Sequence, residues 1–347
     1  VSKLYLLLIF VPLAIVAELL HASPVAVFAL SALGVIPLAG LIGEATEELA
    51  AHTGPRLGGL LNATLGNAAE LIIAIFAIRA GLLDLVKASI AGSILGNILL
   101  VLGLSILAGG IKNGTQRFNR SQAGLNATML ILAVIAITVP SLFSAAIESD
   151  ASVEQLSIAD AVVMILVYTL GLLYTFTTGK TEPISHEAAH EARWSVRNSL
   201  IVLAVVTVGI AWLSEILVGS VDAVTETLGW SEFFVGIIIV PLVGNVAEHL
   251  VAVQVAIKDR MELSLAVSVG SSLQIALFVA PLLVFISLLM GNPMDLVFNQ
   301  FEIIALAGAA LVAAFVSLDG ESVWLEGAML LVVYVIFAIG FFFLPSA

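Results

Sequence analysis

Apolar runs fill most of this chain, and short breaks carrying glycine, proline or charge separate them. A helix needs about 20 apolar residues to cross a bilayer. Cut at its breaks, the pattern predicts eleven such helices, over residues 3–20, 24–52, 57–79, 84–108, 119–140, 156–178, 193–227, 231–257, 261–289, 300–318 and 322–345. The second and seventh exceed what a bilayer requires, which predicts strong tilt or extension into water. The first run has the outline of a signal peptide. It continues to Leu20, however, with Glu18 near its end and no small-residue cleavage site, and it reads as a first membrane helix. The fold class is all-α: a polytopic transmembrane helical bundle of about eleven spans.

Composition agrees and narrows the chemistry. Of 347 residues, 61% are hydrophobic and 11% charged, with a mean hydropathy of +1.17. A soluble chain of this size could not hide so much apolar surface. There is no cysteine, which excludes structural disulfides, thiolate metal sites and iron–sulfur clusters. The net charge of −13 has the wrong sign for a nucleic-acid partner. It suits attraction of cations.

Basic residues sort by side. Lys3, Arg56, Lys112, Arg117, Arg120, Lys180, Arg193, Arg197, Lys258 and Arg260 fall on one predicted face, and Arg79 and Lys87 on the other. The first face should be cytoplasmic, which puts the N-terminus inside and the C-terminus outside. Acids gather on the outer face: Glu148, Asp150, Glu154, Glu232 and Asp295. They are either a solvated loop surface or a funnel that concentrates cations at the mouth.

An internal repeat organises the chain. Gly66-Asn67-Ala68-Ala69-Glu70 recurs 178 residues later as Gly244-Asn245-Val246-Ala247-Glu248. Aligned without gaps, residues 66–104 and 244–282 share 13 of 39 positions, Gly92-Ser93 and Gly270-Ser271 among them. The copies begin five predicted spans apart, so the second should cross the membrane in the opposite sense. That is an inverted-topology repeat. The expected organisation is an additional N-terminal transmembrane helix (1–22), a first five-helix repeat (23–178), a cytoplasmic linker (179–197) and a second five-helix repeat (198–347). Thr46-Glu47 is echoed by Thr225-Glu226 near the end of the helix that opens each half.

The repeated motif carries the candidate chemistry. A carboxylate inside a membrane span is costly and by default functional. Two of them at matching positions of matching halves point to a shared cation site. Glycines, and Pro241 ahead of Gly244, should loosen the helices there and free carbonyls. Hard cations such as calcium take about six to eight oxygens. The candidate metal ligands are Glu70, Glu248, Asn67, Asn245, Ser93 and Ser271, with Asn97 and Gln274 as either ligands or interhelical glue. Asn67 and Glu70 are three apart, as are Ser271 and Gln274, while Ser93 and Asn97 are four apart, so each pair shares a helix face. Two carboxylates in a medium of low dielectric should titrate as a coupled pair. A divalent cation would drive their protons off, and protons would expel the cation. Competition for one site, with alternating exposure, makes an antiporter.

These residues resemble the calcium/cation–proton antiporter family, within the cation/calcium exchanger superfamily. The match rests on GNAAELI (66–72) with GSILGN (92–97), and on GNVAEH (244–249) with GSSLQIALFVAP (270–281). The resemblance implies that Glu70 and Glu248 are the central ion and proton ligands, with Asn67, Asn245, Ser93 and Ser271 beside them. It implies a pairing of Asn97 with Gln274. Sodium-coupled relatives tend to carry an acid where Gln274 stands, so that residue and His249 point to proton coupling. The resemblance further implies that the first helix of each half slides across the core, with Glu44, Glu47, Glu48, Asp222 and Glu226 along the access paths. The substrates would be calcium and protons, calcium being cargo rather than cofactor, with no resident cofactor. The setting would be the lipid bilayer of the cell membrane, and the protein no enzyme.

Three other readings stay open. One is sodium/calcium exchange. Another is a passive divalent cation channel, since midplane acids also make filters. The third comes from His186-Glu187-Ala188-Ala189-His190, which matches a zinc-protease pattern. It sits in the predicted linker and lacks an evident third ligand, which a catalytic zinc wants.

Overall fold

The computed structural model describes residues 4–147, 149–178 and 192–344. Within them the chain runs α1 (Leu4–Leu19), α2 (Pro24–Leu65), α3 (Ala68–Ala80), α4 (Leu83–Asn113), α5 (Arg120–Ser144), α6 (Asp150–Thr178), α7 (Val196–Gly219), α8 (Val221–Leu228), α9 (Glu232–Ile257), α10 (Met261–Met290), α11 (Gln300–Val316) and α12 (Trp324–Phe342). Among the described residues, eight helices are long and apolar enough to cross a membrane, and α1 and α11 are shorter apolar helices. A short antiparallel pairing, β1 (Gln116–Arg117) with β2 (Glu321–Ser322), ties the loop after α4 to the loop before α12.

Local chemistry sets the ends. Ser23 caps α2 with Pro24 in its first turn, Asn119 caps α5, Ser195 caps α7 and Ser231 caps α9. Asn299 and Glu302 form a reciprocal capping box on α11. The predicted acids and bases behave accordingly at the surface. Asp295, one member of the predicted outer funnel, pairs at 3.2 Å with Lys87, a cation it shares with Asp84 at 3.1 Å. Glu148, Lys3 and Lys180 lie outside the described residues, as does the His186–His190 pattern.

Two predicted boundaries are corrected. The predicted third helix (57–79) is not one rod: α2 runs on to Leu65, and a break at Gly66-Asn67 precedes α3. A Cβ on Gly58 would lie 3.0 Å from the Ala50 carbonyl oxygen. Along an unbent helix those residues are about 12 Å apart, so α2 folds back on itself between them. The predicted seventh helix (193–227) starts at Val196 and divides after Gly219 into α7 and α8.

Burial grades from centre to rim. The most apolar window of α4 is 72% buried and that of α10 is 56%, against 17% for α6 and α12. Leu166, Leu170 and Leu173 on α6, and Val332, Val335 and Ile339 on α12, stay exposed at helical spacing. Such stripes are stable against lipid tails. At the centre, α4, α9 and α10 each contain a widened π turn, over Gly96–Val101, Val235–Ile239 and Ile275–Val279. Turns of this kind cluster at functional sites. The one in α9 lies just ahead of Pro241, which has no N–H with which to continue the backbone ladder.

Candidate ion site

The two glutamates meet through the glycines of the opposite repeat. A Cβ on Gly244 would lie 3.0 Å from Glu70 Oε1, and one on Gly66 would lie 3.5 Å from Glu248 Oε1. Each carboxylate therefore lies over the other motif's glycine; a side chain at Gly244 would crowd Glu70, whereas one at Gly66 would just touch Glu248. The break at Gly66-Asn67 also places Glu70 in the first turn of α3, where helix N–H groups favour negative charge. Gly244-Asn245, by contrast, lies within continuous α9. The predicted loosening at the motif itself is found in the first copy only. In the second it is displaced to the π turn before Pro241.

The neutral candidates surround this contact. Asn67 donates to Gln274 Oε1 at 2.7 Å and accepts from the Ser271 hydroxyl at 3.3 Å. Asn97 donates to Ser271 Oγ at 3.2 Å. Asn245 donates to Ser93 Oγ at 3.3 Å and to the Pro241 carbonyl at 2.9 Å. Glu70, Glu248, Asn67, Asn245, Ser93, Ser271, Asn97 and Gln274 are thus brought to one locality. Asn67, Asn245 and Asn97 are each 1% exposed. Asn97 and Gln274 act at least as glue, being the two ends of one hydrogen-bonded chain.

Three acceptor atoms stand out. Glu70 Oε2, Glu248 Oε2 and Asn245 Oδ1 are buried with no hydrogen-bond donor. Buried acceptors of this kind are uncommon and costly. They are oxygens, two of them carboxylate, and so match the preferences of protons and hard cations. Among the described residues no three His, Asp or Glu side chains are placed to hold a metal. A cation here would depend on two carboxylates and neutral oxygens, as the sequence predicts.

Other candidates settle differently. Glu48 is 1% exposed and accepts from Arg193 N, Trp194 N and Arg193 Nε at 2.7, 3.0 and 3.1 Å. Glu44 accepts from Arg193 Nη2 at 3.2 Å and from the Tyr5 hydroxyl. Both anchor the start of α7 rather than lining an open path. His249 borders a narrow crevice together with Gly92, Ser93, Asn245, Pro241 and Tyr334, and its Nε2 is buried without a partner. Sequence reasoning missed the Pro241 carbonyl as an acceptor and Arg193 as an anchor. An Arg at the end of a polar linker carries no local signal of either role.

Known proteins share this arrangement of elements. A family profile described as Sodium/calcium exchanger protein matches residues 23–177 and 198–343. A Ca(2+)/H(+) antiporter of Aphanothece halophytica is 45% identical over 361 residues, spanning 98% of this chain and 96% of that one. The Ca(2+)/H(+) antiporter ChaA of Bacillus subtilis (strain 168) is 45% identical over 340 residues, spanning 96% and 97%. The structure of native YfkE is 43% identical, superposes with a TM-score of 0.87, and is matched over 98% of this chain and 100% of that one.

Proposed function

We propose, from the premise that this chain belongs to the sodium/calcium exchanger protein family, that it exchanges calcium for protons across a membrane by alternating access. Full-length likeness to proteins named as Ca(2+)/H(+) antiporters supports the pairing of calcium with protons. The observation that carries the site is the reciprocal seating of Glu70 on Gly244 and Glu248 on Gly66.

Calcium is the cargo, and no resident cofactor is invoked. Glu70 and Glu248 bind it, and Asn67, Asn245, Ser93 and Ser271 complete the oxygen shell. When calcium leaves, protons take the carboxylate oxygens that would otherwise repel each other. The empty site then crosses as a neutral unit, which costs far less than two bare charges in a low dielectric. About eleven spans in two inverted five-helix repeats, behind an additional N-terminal helix, expose the site to each side in turn. The setting is the cell membrane, with the N-terminus cytoplasmic.

Calcium-45 uptake into inside-acid proteoliposomes tests this, with and without a sodium gradient, for wild type, Glu70→Gln and Glu248→Gln. Uptake should need the proton gradient, ignore sodium and vanish in both variants. Uptake that follows sodium would favour sodium/calcium exchange. Uptake without any counter-ion gradient would favour a channel.

A further inference from the structure

The far ends of the two glutamate helices are built alike. α3 ends with Gly81 at φ 81°, where Gly81 N donates to Ile78 O and Leu82 N to Ala77 O, each at 3.0 Å. α9 ends 178 residues later with Asp259 at φ 62°, where Asp259 N donates to Ala256 O and Arg260 N to Val255 O, each at 3.0 Å. The left-handed conformation suits glycine and strains aspartate. The second copy keeps the same turn despite that strain.

Side-chain amides from the opposite repeat hold both turns. Gln116 Nε2 donates to Ala256 O at 2.8 Å and to Asp259 Oδ1 at 3.0 Å, which also supports the strained aspartate. Asn113 Nδ2 donates to Ala256 O and Ile257 O at 3.2 Å. Across the molecule, Asn292 Nδ2 donates to Ile78 O at 3.0 Å. Ile78 and Ala256 are equivalent positions of the repeat. Gln116 is 1% exposed and packs over Gly109, where a Cβ would collide with its Oε1.

The partners of these clamps are not arbitrary. Asn113 ends α4 and Gln116 lies just beyond it, and Ser93 of α4 accepts from Asn245 of α9. Asn292 follows α10, whose Ser271 donates to Asn67, the residue that precedes α3. Each glutamate helix is therefore fastened to the same helix of the other half at two places, the site and its far end. From Glu70 to Ile78, and from Glu248 to Ala256, is eight residues, or about 12 Å of helix. A rod held at two such points can neither slide nor roll against its neighbour. A cap serving stability alone could be supplied by water or by the helix's own chain.

We infer that Asn113, Gln116 and Asn292 are positioning residues for transport, reciprocal clamps that fix the register of each glutamate against the serine-bearing helix of the opposite repeat. The inference rests on the proposed calcium site. Gln116→Glu and Asn292→Asp exchange a donor for an acceptor with little change of shape. In the full chain in proteoliposomes, each should raise the calcium concentration for half-maximal uptake roughly tenfold, with little change in maximal rate. Asn292→Gln keeps the donor and should restore affinity. Should Gln116→Glu fail to insert, Asn113→Asp at the exposed end of the same clamp takes its place. A lowered thermal midpoint with unaltered half-saturation would make these residues stabilising caps and overturn the inference. Lost affinity that Asn292→Gln does not restore would overturn it too. The calcium-induced rise in thermal midpoint in detergent needs no transport. It should shrink in the clamp variants even if wild-type uptake ignores protons, an outcome that would remove the antiport reading alone.

Discussion

Glu70 and Glu248 were legible in the sequence because a carboxylate in an apolar run, twice at one offset, has no cheap structural explanation. What each touches was not legible, because contacts between residues far apart in the chain leave no local pattern. The glycine of each motif shows this. The sequence suggests glycine as a loosener of its own helix, whereas Gly244 serves the other helix by leaving room for Glu70. A methyl there would lie 3.0 Å from Glu70 Oε1 and 3.3 Å from its Cδ and Cγ. The carboxylate would have to shift by a few tenths of an ångström. Gly244→Ala should therefore fold, yet raise the calcium needed for half-maximal uptake roughly tenfold, as disturbed ligand support typically does. A titration of calcium-45 uptake against calcium reads this directly, and an unchanged half-saturation would separate Gly244 from the site. Asn245 offers a second case. Its Nδ2 is occupied by Ser93 and Pro241 while its Oδ1 is buried without a donor. Asn245→Asp keeps that oxygen but turns the donor toward two acceptors into a third charge, so proton-driven uptake should fall sharply in the same assay. Asn245→Asp activity equal to wild type would mean that the Nδ2 bonds are dispensable.

At the level of elements, the repeat predicts equality that the structure does not keep. Gly92 and Gly270 occupy one position of the motif, yet their surroundings differ. A Cβ on Gly92 would overlap the Ile237 carbonyl and lie 2.7 Å from Pro241 Cγ, because α4 packs there directly on α9. A Cβ on Gly270 meets nothing within 4 Å among the described residues. Gly92→Ala should thus force two central helices apart, at roughly 1–3 kcal/mol, and lower the thermal midpoint in detergent. Gly270→Ala should leave it unchanged, and equal losses at the two positions would mean that the halves pack alike. That the chain is an all-helical polytopic membrane protein was readable, since apolar length is a strong signal. The boundaries that failed lie where apolar character and helical geometry part company. Residues 57–79 form a largely apolar run with only scattered polar side chains, but Gly66-Asn67 interrupts the backbone. Around Ser220 a turn divides the predicted helix just before Asp222, Thr225 and Glu226 enter the run.

For the whole molecule, the proposed function separates parts that would hold the ion from parts that would move around it. α3, α4, α9 and α10 are cross-linked through Asn67, Ser271, Asn97, Asn245 and Ser93 and are clamped again at their ends. Outside that block, α1, α2 and the start of α7 are joined at one end. Arg193 reaches Glu44 and Glu48, Tyr5 reaches Glu44, and His52 Nε2 lies 2.7 Å from the Trp194 carbonyl. The family resemblance read from the sequence implied that the second and seventh predicted helices slide, but sequence alone could not say that they are tied to one another. Tied in this way, α2 and α7 can travel as one body across the clamped core, and the tie transmits motion without touching the ion. Arg193→Ala removes the guanidinium links and leaves Glu48 its two backbone donors at 2.7 and 3.0 Å, so the chain should still fold. The expected result is a fall in maximal uptake rate of a few-fold or more with half-saturating calcium unchanged, because alternation slows while the site stays intact. Gln116→Glu and Asn292→Asp are expected to do the reverse, costing affinity and sparing rate. Measured side by side in one proteoliposome preparation, the two sets of variants test the division itself. If Arg193→Ala moves affinity as much as rate, the anchored helices are part of the binding structure, and a rigid core with one mobile body is the wrong description of how access alternates.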